Sequence, residues 1–142
     1  MKATAMFLMM LVVLGIAQMG LGEQKDETIF AGEIQLLSFE DLAYPSLARV
    51  ARVQGLVVVR ATLDDSGNVI DATALSGAKP LISDCLANIK SWKFKPNKHK
   101  SVIVVYEFRL DEGGCKDEKR SFFTVRGSNL ATITACTPLV GG

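Results

Sequence analysis

The residues of this chain with chemistry to offer are a lone histidine, an acidic doublet, a lysine-rich stretch and three cysteines. His99 stands between Lys98 and Lys100, where neighbouring positive charge opposes both its protonation and the approach of a cation. It is a poor base and a poor metal ligand, and with a single histidine a Ser-His-Asp triad has no second centre to draw on. Asp64 and Asp65 form a carboxylate pair that would suit calcium or acid–base work, but the ligand spacing of an EF-hand loop is absent. Within Asp64-Asp65-Ser66-Gly67-Asn68 they read as turn residues that bond their own backbone. Lys90, Lys93, Lys95, Lys98 and Lys100 alternate with Trp92 and Phe94, a composition also seen at nucleic-acid surfaces. Here the aromatics fall where a helix end must seal a core, so the lysines are expected to form a solvated face. No serine has a base at motif spacing, and the chain is expected to be non-enzymatic, with no cofactor and no metal.

Cysteine chemistry depends on compartment. Lys2 precedes an apolar run from Ala5 to Leu14, and Gly15-Ile16-Ala17 follows with small residues at the positions signal peptidase reads. Gly20-Leu21-Gly22 repeats the small-residue pattern, so residues 1–22 are expected to be a signal peptide, or a membrane anchor if retained. Export favours disulfides over metal-type or redox Cys-x-x-Cys use, for which the spacing of Cys85, Cys115 and Cys136 is wrong. Cys85 lies on one helical face with Leu81, Ile82, Leu86, Ile89 and Trp92 and should be buried there. Cys115 and Cys136 flank a short hairpin, and a bridge between them would stabilise the fold by roughly 3 kcal/mol in the chain-entropy model. The alternative, three half-buried thiols, suits an exported chain less well.

The elements that position these groups are few. A length of 142 residues, 49% apolar with a net charge of +1, fits one small domain and gives no field for nucleic acid. Residues 23–43 form a short lead, within which Glu33 to Glu40 alternates weakly and should lie extended against the domain. Tyr44-Pro45 sets up a helix with Leu47, Ala48, Val50, Ala51 and Val53 on its apolar side, and Gly55 is expected to cap it in a left-handed conformation. Leu56 to Leu63 and Val69 to Leu75 predict a β-hairpin around the Asp64–Asn68 turn. A helix carrying Cys85 follows, ending before Pro96, and then a dense strand, Val102 to Leu110. Phe122 to Val125 and Leu130 to Cys136 predict a second hairpin around Arg126-Gly127-Ser128-Asn129. The fold class is therefore α+β: a small antiparallel β-sheet packed against two helices, with an added C-terminal β-hairpin.

The order Tyr44-Pro45, Ala48, Gly55, Val57, Asp65, Gly67, Val69, Ser76-Gly77, Leu81, Leu86, Ile89, Lys90, Trp92, Phe94, Pro96 and Phe108-Arg109-Leu110 resembles the C-terminal domain of TonB-type energy transducers. The resemblance implies a domain at 44–110 with residues 111–142 as an extension. It also implies a periplasmic protein, exported or anchored in the inner membrane, that takes part in TonB-dependent transmembrane transport. In that family the last strand pairs with an extended segment of an outer-membrane transporter. The expected partner-binding edge is thus Val102, Ile103, Val104, Val105, Tyr106, Glu107 and Phe108, recruiting an envelope protein by β-augmentation. The lead contains no proline and is short, unlike a spacer that must cross the periplasm, which favours a stand-alone binding module over a transducer. The rival expectation is an accessory protein whose sheet edge is covered by its own C-terminal hairpin. Homo-oligomerisation stays open at this point, and membrane contact is expected only if the N-terminal segment is retained.

Overall fold

The computed structural model describes residues 34–113, 115 and 120–138, so the segment read as a signal or anchor lies outside the described residues. The elements, in chain order, are β1 (Leu36–Ser38), α1 (Ser46–Val50), β2 (Gly55–Leu63), β3 (Val69–Ser76), α2 (Lys79–Ile89), β4 (Lys93–Phe94), β5 (Ser101–Asp111), β6 (Ser121–Arg126) and β7 (Leu130–Cys136). Strands β3-β2-β5-β7-β6 form a five-stranded sheet in that order, and β1 pairs with β4 in a separate two-stranded ribbon. The α+β class holds.

Alternation decides which sheet face is covered. Val57, Val59, Ala61 and Leu63 of β2, Val102, Val104, Tyr106 and Phe108 of β5, and Ala131, Ile133 and Ala135 of β7 are all buried on one side. Against them α2 lays Leu81, Cys85, Asn88 and Ile89, spaced to share one helical face, with Trp92 and Phe94 closing the core behind it. Ile82 and Leu86 pack at the margin of that face. The extended lead forms β1 with the register Leu36↔Phe94 and Ser38↔Lys93, so Lys93–Phe94 is a short strand where the sequence read only the end of a helix.

The first helix is shorter than expected, and its stop lies elsewhere. Arg52 takes the left-handed conformation (φ 57°), and Val53 N–H turns back to the Ala48 carbonyl at 2.8 Å. Gly55, at φ 126°, opens β2 and does not cap the helix. The β2–β3 turn is built as predicted: Asp64 Oδ1 accepts from the Ser66 and Asn68 amides, each at 2.9 Å. Gly67 sits in its middle at φ 86°, pressed against the Phe94 carbonyl, with Phe94 N–H donating to Gly67 O at 3.0 Å.

One topological expectation is corrected. β5 is an interior strand, antiparallel to β2 on one side and parallel to β7 on the other. A strand rich in β-branched residues accommodates a neighbour on each side, and the C-terminal hairpin supplies the second one. The hairpin's first strand, β6, lies outermost, which makes β7 run parallel to β5.

Candidate functional site

The sequence pointed to Val102–Phe108 as a free edge. In the fold, Val102, Val104, Tyr106 and Phe108 point into the core, while Ile103, Val105 and Glu107 stand half-buried on the opposite face. Their backbone is engaged on both sides for most of its length. The β7 register runs from Val105↔Leu130 to Asp111↔Cys136, and Val105 N–H donates to Asn129 O at 2.8 Å. Before that point the Asn129 side-chain amide reaches the Ile103 carbonyl at 3.3 Å. The flank of β5 from Val105 to Asp111 is thus occupied by the chain's own tail.

Several contacts hold the tail there. Cys115 and Cys136 form the expected disulfide, with Cα atoms 5.9 Å apart and a sequence separation of 21. Arg49 of α1 donates from Nε to the Cys136 carbonyl at 2.8 Å, and Thr137 N–H donates to Asp111 O at 3.1 Å. The far end of β7 is therefore tied to α1, to β5 and to the chain leaving β5. At the start of β6, Ser121 Oγ accepts from Tyr44 N–H at 3.3 Å, and the Tyr44 hydroxyl in turn donates to Val53 O.

Beneath β5 lies a polar centre that pattern reading passed over. Asn88, in the buried stripe of α2, accepts from Trp92 Nε1 at 2.8 Å and from the Tyr106 hydroxyl at 2.9 Å, both through Oδ1. Its amide nitrogen donates to the Glu40 carbonyl at 3.0 Å and is 3.4 Å from that of Asp41. One side chain thereby orients α2, β5 and the lead. The available signal is a polar residue at helical spacing with Leu81, Cys85 and Trp92, which apolar spacing alone does not register. Burial pushes the Tyr106 hydroxyl far above its usual range and the Cys85 thiol up to about 12, the Asp84 carboxylate adding to the latter. Both groups are protonated structural members of the core.

The remaining candidates are dispersed. Asp64 is held below the usual carboxylate range, first by the Asn68 amide and then by the Asn68 side chain, as a turn residue. Asp65 pairs with Lys100 at 2.6 Å on the surface. His99 and the lysines of the basic stretch are exposed, whereas Trp92 and Phe94 are buried, so that stretch is a solvated face. Among the described residues no group of three or more His, Cys, Asp or Glu side chains converges on a metal position. Nor is any described helix long and apolar enough to cross a membrane.

A small sheet with two helices on one face and one long interior strand defines the architecture. The family model of the Gram-negative bacterial TonB protein C-terminal domain matches residues 40–111, and the chain belongs to that family. Domains of the family are non-enzymatic periplasmic modules linked to transport, and they interact with outer-membrane transporters. The matched region ends with β5, so the hairpin and both disulfide cysteines lie beyond it. No curated protein matches the chain significantly.

Proposed function

We propose that this protein is an accessory binding module of the periplasm, of TonB C-terminal type, in which the pairing slot along β5 is occupied by its own strand β7. The parallel ladder from Val105↔Leu130 to Asp111↔Cys136 carries this reading, because it uses the backbone groups that an extended segment of an envelope protein would need. The disulfide and the Arg49 contact support it, since they hold the far end of β7 in place. A module so completed does not recruit a transporter segment through β5 while its tail is docked.

Titration of the intact, oxidised protein with extended N-terminal peptides of outer-membrane transporters tests this. No binding is expected, and binding should appear in Ala135→Pro, which removes an amide directed at β5 and loosens the ladder. Binding by the intact protein that is lost on Ile103→Pro, whose amide shares with that of Val105 the flank away from β2, would instead establish β5 as an open recruiting strand. The second reading, exchange of β7 for an incoming segment, is favoured by one observation: Ser101–Val104 have no β7 partner, leaving a start point for such a segment.

A further inference from the structure

With β5 in the interior, the sheet has two outer strands, β3 and β6, and they are built differently. The pairing of β3 with β2 shifts register twice, passing over Leu75 and Ile70, so each end of that strand carries a bulge. Bulges twist an edge away from incoming strands and are a standard protection against edge-to-edge pairing. β6 has none: its register with β7 is unbroken from Ser121↔Ala135 to Arg126↔Leu130, and it contains no proline.

The hydrogen-bond phase of β6 follows from its neighbours. Val105, whose register partner is Leu130, donates to the Asn129 carbonyl, so the odd-numbered residues of β7 direct their backbone groups at β5. The even-numbered ones therefore face β6, where they meet Phe122, Thr124 and Arg126. The N–H and C=O groups of Phe123 and Val125 consequently point outward, away from β7. No described strand lies on that side.

We infer that β6 is a self-pairing edge and that its partner is β6 of a second copy, antiparallel about a two-fold axis at Thr124. The side chains select this occupant and this register. Centring the pair on Phe123 would set Arg120 directly opposite Arg126 at both ends, a like-charge contact. Centring it on Thr124 sets Phe122 opposite Arg126 of the second copy, Phe123 opposite Val125, and Thr124 opposite itself. Phe122, 55% exposed in the single chain, gains a guanidinium neighbour on the open face. Phe123 and Val125 extend the core face across the seam. Because the two-fold operation repeats every contact, the pair closes as a dimer and does not propagate into a fibre.

Sedimentation equilibrium of the oxidised full chain should show a monomer–dimer equilibrium. Val125→Pro removes an outward amide while sparing the β6–β7 ladder; by symmetry it deletes two intermolecular bonds and should weaken association by about tenfold or more. Thr124→Cys provides a readout independent of that variant's stability. Its thiols would face each other across a non-hydrogen-bonded pair, where Cα atoms stand about 4.5 Å apart, and should oxidise to a covalent dimer. Arg126→Cys, on the same face but off the axis, should not. A chain that stays monomeric at high micromolar concentration overturns the proposal, as does a dimer indifferent to Val125→Pro. Crosslinking at Arg126→Cys in place of Thr124→Cys would refute the register. Capture of a transporter peptide by a monomeric chain, lost in Val125→Pro, would assign the edge to a different partner and also overturn it.

Discussion

The Tyr106 hydroxyl donates to Asn88 Oδ1 at 2.9 Å, joining the middle of the central strand to the buried face of the longer helix. Trp92 Nε1 shares the same oxygen at 2.8 Å, so Asn88 answers two buried donors at once. Removing either donor leaves the oxygen still bonded, whereas removing the oxygen strands both.

Asn88→Leu should therefore cost clearly more than Tyr106→Phe. Each stranded buried donor costs about 1–3 kcal/mol, against about 1 kcal/mol for a single lost bond. Chemical denaturation of both variants and of the double variant checks this. Equal losses in the two single variants would show that water or a rotated side chain satisfies the donors.

Gly67→Ala is expected to be among the most damaging single changes in the domain. A Cβ there would stand 1.8 Å from the Phe94 carbonyl oxygen, a backbone atom, and the residue sits at φ 86°. Relief requires the β2–β3 turn to separate from the segment carrying Phe94, which also breaks the Phe94 N–H bond to Gly67 O. A loss above about 2 kcal/mol is expected, visible as a fall in the denaturation midpoint, while Gly127→Ala, with open space around it, should cost less.

Local elements were legible because their cause is local. The β2–β3 hairpin followed from β-branched runs around turn residues, and α2 followed from Leu81, Cys85 and Ile89 at helical spacing. The position of β5 in the sheet was not legible, since strand order depends on pairing with β7, whose residues lie some distance along the chain. The apolar character of Ile103 and Val105 suits an uncovered edge awaiting a ligand as well as an interior strand, and only the fold separates the two. Asn88 was hidden for a related reason: its partners come from the lead, the helix end and β5, and no spacing rule joins them. At α1 the general preference for a glycine cap does not hold, because Arg52 takes the left-handed turn and Gly55 opens β2.

Loss of the Cys115–Cys136 bridge should destabilise the hairpin more than the rest of the sheet. The bridge closes a separation of 21 residues, worth about 3 kcal/mol in the chain-entropy model. Cys115→Ser with Cys136→Ser should lower the unfolding free energy by about that amount. Hydrogen exchange should accelerate first in β6 and β7, with β2 and β3 less affected. Uniform acceleration across all five strands would show that the hairpin and the remaining sheet unfold as one cooperative unit.

Cys85 gives a sensitive reporter of core opening and of the alkaline limit of stability. Its side chain is buried in α2, and its thiol is pushed up to about 12 by desolvation, with the Asp84 carboxylate contributing. The sign follows from linkage: with the folded value raised above the ordinary thiol value of 9.0, the contribution to stability is complete below that value. It is lost as the pH rises from there towards about 12, because the unfolded chain releases the proton first. Cys85→Ala should therefore flatten the alkaline limb of the stability profile. Alkylation of the native thiol at pH 8 should also be slow and should track unfolding by denaturant, since the thiolate is the reactive form. Rapid labelling under native conditions would mean that α2 separates from the sheet without global unfolding.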